Sequence, residues 1–395
     1  MASSASSPST IDDGPVVESF SMDDADLEVE VKLDLEATSF SEQNAYFFAA
    51  MCKLSYGSKD EVRSALESKD FWGSGAEAGD RFEWFEADDE VANESTFDAI
   101  HDTEAFVAAN DDVIVAVFRG SSGGQDWLTN LSILPRDVPQ EWNLGTEDGD
   151  LHRGFDDGLN TVWHPGPGHP EGMLSVIKRF YDEEGKSRKL FLSGHSLGGA
   201  LATIAAARLA FVDNHIHISA VYTAGSPRVL DTEVAGIFDA RMNNGTKMKD
   251  KCFRSKNNND IVTRIPPLPY KHVGREIYFD RFGTISTSSL VDRLLGRFSA
   301  LLRFSFIDGI NDHSGSEYLR LSRQALINSR VSLLAKTRSV IADAVQKVIP
   351  ANRDEVNEQQ EEIKAAEKAA LQASTADEEF VPENVPGHLV QKDAE

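Results

Sequence analysis

A chain of 395 residues with 41% hydrophobic content is long enough for one large α/β domain with tails, or for two domains. Its formal net charge of −26 argues against nucleic acid or an anionic membrane as a general partner, because the long-range field repels both. Cys52 and Cys252 form no metal-ligand spacing and support neither a zinc site nor a disulfide framework. The start, Met1 to Pro8, leads into acidic residues without a signal peptide's apolar core, and no apolar run is long enough to span a bilayer. A soluble, cytoplasmic protein is therefore expected.

Residues 1–42 carry eleven Asp/Glu against one Lys and read as a disordered acidic tail with a short ordered end. From Ser41 the pattern changes. Tyr46, Phe47, Ala50, Met51 and Leu54 recur at helical spacing behind a capping serine, and Tyr56-Gly57 ends that helix. A second helix is expected over Lys59 to Phe71, then strands at 81–86 and 96–100, where residues alternate with a period of two. Glu104 to Asn110 and Asp112 to Phe118 read as a hairpin that leads into a buried central strand.

That strand ends in Arg119-Gly120-Ser121-Ser122-Gly123-Gly124, where glycines and hydroxyls put backbone N–H groups at a substrate's reach. In the next segment Trp127, Leu128, Leu131 and Leu134 fall on one helical face, so residues 122–135 form a lid candidate or an ordinary surface helix; periodicity does not separate the two. Order resumes at Leu151 to Phe155, and Gly172 to Glu184 is expected as a helix. Strands at 189–193, 217–224 and 252–254 alternate with helices, which implies a mainly parallel sheet with helices on its flanks.

Gly194-His195-Ser196-Leu197-Gly198 lies between the apolar strand Lys189 to Ser193 and an Ala/Leu-rich helical stretch, Gly199 to Phe211. In that context Gly-x-Ser-x-Gly is a nucleophile elbow, with Gly194 and Gly198 giving room where strand and helix pass closely. The helix N-terminus would then favour negative charge near Ser196. Further on, Ser289 to Phe304 has a continuous apolar stripe and carries Arg293, Arg297 and Arg303, a pattern that suits either a lipid surface or the core. A helical stretch follows from about 317 to 349, and residues 351–395 form a second acidic tail with twelve Asp/Glu against four Lys/Arg.

Several motifs together resemble the class 3 lipase family, α/β-hydrolases that include fungal triacylglycerol lipases. They are Val113 to Ser121, Asp126-Trp127-Leu128, His152-Arg153-Gly154-Phe155, Gly194 to Ala202, Thr223 to Arg228 and Asn259 to Val262, all in family order. The resemblance covers roughly residues 43–325 and implies an α/β-hydrolase domain, placed here at 43–350. It implies Ser196 as nucleophile, Asp260 as acid and His313 as base, with the oxyanion held by the N–H groups of Leu197 and Ser121. A hydroxyl is too weak a nucleophile until an imidazole takes its proton, and a carboxylate fixes that imidazole's tautomer. His272 and His388 also follow Asp260. His388 lies in the tail, and His272 looks like a structural histidine before an edge strand.

The function so implied is hydrolysis of lipid acyl esters through an acyl-enzyme, with water as second substrate and no metal or organic cofactor. The alternatives are phospholipase A1 or monoacylglycerol lipase activity, or a catalytically idle interaction module. Transient lipid-surface contact is expected through the lid and residues 289–304. The secreted fungal members' signal and disulfides are lacking here.

Overall fold

The computed structural model describes residues 33–67, 81–87, 103–121, 135–145, 149–166, 169–213, 215–258, 260–286 and 312–330. The expected strand at 96–100, the lid residues Trp127, Leu128, Leu131 and Leu134, the helix at 289–304, residue 350 and most of both acidic tails lie outside them. The chain divides into two units, residues 1–330 and 331–395, and all of the second lies outside the described residues.

The main sheet consists of β1 (Phe82–Glu86), β2 (Glu104–Ala109), β3 (Val113–Phe118), β4 (Lys189–His195), β5 (Ile218–Ala224), β6 (Cys252–Asn257), β7 (Arg275–Phe279) and β8 (Ile285–Ser286). Their order across the sheet is their order in the chain. The first three form an antiparallel meander, turned at Asn110 by its side chain, which accepts from the N–H groups of Asp112 and Val113. β3 through β7 are parallel, and β8 returns antiparallel. Parallel neighbours need a crossover connection; between β6 and β7 the described residues supply only a 3-10 turn, Val262–Arg264, and the strand Tyr270–Lys271, and helices cross between the other parallel neighbours. A second, four-stranded sheet joins Pro135–Asp137, Asp150–His152, Leu230–Asp231 and Tyr270–Lys271. Pro135, expected at the end of the lid helix, instead opens the first of these strands.

The seven helices used below are α1 (Glu42–Leu54), α2 (Lys59–Glu67), α3 (Arg153–Trp163), α4 (Met173–Tyr181), α5 (Leu197–Phe211), α6 (Thr232–Ala240) and α7 (residues 315–330). Ser41 caps α1 by accepting from the Asn44 N–H at 3.3 Å. The strand period of two sorts side chains to two cores. Ile114, Ala116 and Phe118 of β3 join the core shared with α3, α4, α5 and α6; Val113, Val115 and Val117 join the core shared with α1, α2 and α7. α5 is buried at all of its residues, which explains an Ala/Leu/Ile composition with no polar face. The last residues of the acidic N-terminal stretch are docked, with Phe40 packed on Tyr222 and Phe253. Cys52 and Cys252 are buried and unbridged. Among the described residues no helix is long and apolar enough to cross a membrane.

Phe48 pins α1 to the sheet. Its ring is 1% exposed and stacks on Tyr222 at 5.1 Å, with Phe191 at 5.4 Å. Phe48→Ala removes that wedge and is expected to cost about 3–5 kcal/mol, read as a shift of the urea unfolding midpoint at unchanged slope.

Candidate active site

The site begins with backbone geometry. β4 ends at His195, and α5 starts at Leu197, so Ser196 alone makes the reversal, with φ 55° and ψ −125°. A non-glycine residue in that region is strained by roughly 1–3 kcal/mol. The turn is held from both sides. The Ser196 N–H donates to the Ala224 carbonyl of β5 at 2.9 Å. On the other side, the first turn of α5 lies directly on the end of β3: a Cβ at Gly198 would sit 2.0 Å from the Phe118 oxygen, and one at Gly194 would sit 2.2 Å from the Gly198 carbonyl. Both glycines are therefore required by close approach.

Asp260 follows β6 and is fully buried. Its Oδ1 accepts from the Val262 N–H at 2.9 Å and its Oδ2 from the Tyr318 hydroxyl of α7 at 2.6 Å. His313, just before α7, donates from Nδ1 to the same carboxylate, at 3.1 Å and 3.0 Å to the two oxygens. A carboxylate can only accept here, so the proton sits on Nδ1 and Nε2 is left as the acceptor. That Nε2 lies 2.7 Å from Ser196 Oγ. The three side chains thus form a continuous relay from hydroxyl to imidazole to carboxylate.

The loop carrying His313 is tied down through its main chain. Asn257 Nδ2 donates to the Asp312 carbonyl at 2.8 Å, and His195 Nε2 donates to the His313 carbonyl at 2.7 Å. The His195 and His313 rings stack at 4.8 Å. Burial, reinforced by the His313 charge, pushes His195 down to about 3, so it is neutral at ordinary pH.

Ser121 stands three residues past the end of β3, and Leu197 opens α5. Phe118 pairs with Gly194 in the β3/β4 register, which puts both segments at the same end of adjacent strands. The Leu197 N–H lies in the first helical turn, where N–H groups have no intrahelical acceptor. His272 is spent elsewhere: its Nε2 donates to the Thr263 carbonyl at 2.6 Å, and burial and Arg254 hold its pKa well below the usual range. His388 lies outside the described residues.

The sequence singled out Ser196, Asp260 and His313, which the fold brings together, and gave no role to Tyr318, Tyr56 or His195. A tyrosine five residues past His313 carries no local mark that separates a carboxylate partner from a core aromatic. His195 stands inside the elbow motif at a position whose side chain the turn itself does not specify.

Residues 115–270 match the family model described as lipase (class 3). A lipase of Rhizomucor miehei is 32% identical over 185 residues, 45% of this chain and 46% of that protein. A secreted mono- and diacylglycerol lipase of Fusarium solani is 30% identical over 183 residues, 45% and 47% of the two. A triacylglycerol lipase of Arabidopsis thaliana is 34% identical over 206 residues, 43% and 38%. The chain spans less than half the length of each of these relatives.

Acid should weaken this protein through its buried histidines. Burial lowers His152 to about 4 and His195 to about 3, against about 6.5 in the unfolded chain. Below pH 6.5 the unfolded state takes up protons that the folded state refuses, so stability falls as pH falls, by about 1.4 kcal/mol per pH unit for each group. Urea unfolding between pH 6.5 and 5 measures the slope, and His195→Phe, which cannot titrate, is expected to flatten it by one such increment.

Proposed function

We propose that the chain, whose residues 115–270 match the class 3 lipase model, is a member of that family and a serine hydrolase of lipid acyl esters. The observation that carries the proposal is the relay in which His313 Nε2 stands 2.7 Å from Ser196 Oγ while its Nδ1 donates to buried Asp260. Ser196 attacks the ester carbonyl, and His313 takes the hydroxyl proton on Nε2. Asp260 holds the imidazole in the tautomer able to do so and stabilises the imidazolium that results. The tetrahedral oxyanion lies at the start of α5, where the Leu197 N–H, the helix dipole and the Ser121 N–H favour negative charge. His313 then protonates the departing alcohol. The acyl-enzyme left on Ser196 is hydrolysed by water, with His313 taking the proton of the attacking molecule, and the carboxylic acid is released.

Long-chain acylglycerols are the proposed substrates. Support comes from the apolar pattern at 127–134, the stripe at 289–304, and relatives named for triacylglycerol and for mono- and diacylglycerol. The intact relay disfavours an idle interaction module.

A fluorophosphonate probe is expected to label wild type at Ser196 and to leave Ser196→Ala unlabelled. On a panel of tri-, di- and monoacylglycerol emulsions beside a short soluble ester, Ser196→Ala abolishes turnover and Asp260→Asn lowers kcat on the order of 10⁴-fold. Ser121→Ala is milder than Ser196→Ala because the backbone donor remains. Exclusive turnover of the short ester would refute the lipid assignment, and an unlabelled wild type would refute the chemistry.

A further inference from the structure

Tyr56, at the end of α1, is remote in sequence from every residue of the relay, yet its hydroxyl lies in the middle of the segments that carry it. Tyr56 Oη is 2.9 Å from His195 Nδ1. The direction of that bond follows from the other ring nitrogen. His195 Nε2 faces the His313 carbonyl, which can only accept, so Nε2 carries the proton and Nδ1 is a bare lone pair. The Tyr56 O–H is therefore the donor. Burial raises the hydroxyl's pKa above the usual tyrosine range and keeps its proton in place. The Gly120 backbone packs directly against the same oxygen.

The surroundings are shaped around this oxygen. A Cβ at Gly120 would lie 2.1 Å from Tyr56 Oη, so only glycine leaves space for it. The Arg119 guanidinium, paired with Glu104, lies over the Tyr56 ring at 5.6 Å. One hydroxyl thus connects Gly120, the neighbour of Ser121, to His195, the neighbour of Ser196, and His195 in turn holds the main chain of His313.

We infer that Tyr56 and His195 are positioning residues that act as one strap, fixing the segments of the oxyanion donors, the nucleophile and the base relative to one another. The inference rests on the serine hydrolase reading above. Each link has a separate consequence. The close packing of Gly120 on Tyr56 Oη sets the spacing between the Ser121 segment and the elbow. The Tyr56 to His195 bond occupies Nδ1, so His195 keeps its proton on Nε2 and stays neutral beside the imidazolium that forms on His313. The His195 to His313 bond holds the base's carbonyl while its ring exchanges a proton with Ser196. Without the donor at Nδ1 the imidazole is free to take the other tautomer, which turns a lone pair toward the His313 carbonyl and repels it. A misplacement of about 1 Å at reacting groups costs on the order of 10²-fold in rate, whereas binding of the acyl chain does not pass through these bonds.

The test uses the full chain as wild type, Tyr56→Phe, His195→Phe and the double variant. Each is measured for fluorophosphonate labelling, for kcat and KM on an ester that wild type hydrolyses, for thermal midpoint, and for the ¹⁵N signal of His195. Tyr56→Phe is expected to lower kcat about 10–100-fold with KM within about twofold of wild type and a nearly unchanged midpoint. The His195 Nδ1 resonance moves toward that of an unbonded ring nitrogen. His195→Phe, which keeps a ring against His313, loses at least as much, and the double variant loses no more than His195→Phe, because the hydroxyl's hold on Gly120 reaches the elbow only through the imidazole. Should Tyr56→Phe fail to fold, His195→Phe carries the same expectation. The strap is overturned if wild type labels at Ser196 while both single variants keep its kcat, if the losses appear in KM or follow the midpoint, or if they add in the double variant. A wild type that neither labels nor hydrolyses overturns the serine hydrolase reading itself, and the strap with it.

Discussion

The conformation of Ser196 is the constraint on which the other features depend. A serine at φ 55° is held only if its surroundings over-determine it, and three elements do so. β5 accepts its N–H through Ala224, β4 delivers it from below, and α5 leaves it directly above with Gly198 pressed onto the carbonyl of Phe118. Because β3, β4 and β5 are hydrogen-bonded neighbours, fixing the turn also fixes the ends of three strands. The Arg119 to Ser121 segment, which leaves β3, and Gly225, which leaves β5 at φ 59°, therefore start from strand ends that the sheet holds.

Charge is managed locally. The chain carries a formal −26, but at physiological ionic strength charges on the surface are screened beyond about 8 Å, so the overall excess has little hold on a buried relay. What matters inside is that each polar group has a partner of the right kind. The Asp260 carboxylate, fully buried, has donors from Val262, Tyr318 and His313. His195 stays neutral beside His313, so the His313 imidazole faces a stacked ring without charge. A buried carboxylate lacking one of its donors would cost more than an average hydrogen bond contributes, because the exposed alternative in water is lost.

The parts legible in the sequence are those that local backbone requirements dictate. Glycines at 194 and 198 mark a reversal that no larger residue permits, an unbroken apolar run from Val113 to Phe118 marks β3, and Asn110 with its neighbours marks a turn. Ends of elements were less legible. α5 begins at Leu197, two residues before the expected Gly199, because a positive-φ serine is itself the cap and the helix starts at once. β6 runs to Asn257, past the expected Arg254, since its pairing with β7 continues and polar residues there still find partners. The roles of Tyr56, His195 and Tyr318 were hidden for a different reason. Each depends on residues 58 to 139 positions away, and a hydroxyl's long-range partner leaves no periodicity behind.

The elbow motif acquires a second meaning from this. Gly-x-Ser-x-Gly specifies a turn through its glycines and its serine, and the turn is indifferent to what stands between Gly194 and Ser196. The rest of the site is not. The residue there is the last of β4, so its side chain projects from the same strand end as Ser196, within reach of both the α1 terminus and the loop before α7. A side chain that both accepts and donates through rigidly opposed atoms is needed to bridge a hydroxyl on one side and a carbonyl on the other. Neutral imidazole is the side chain with that geometry, and an amide of similar length lacks the ring that stacks on His313. Histidine at 195 therefore follows from the same demand that places His313: both rings must hold one proton each, on opposite kinds of nitrogen, for His313 Nε2 to face Ser196 Oγ.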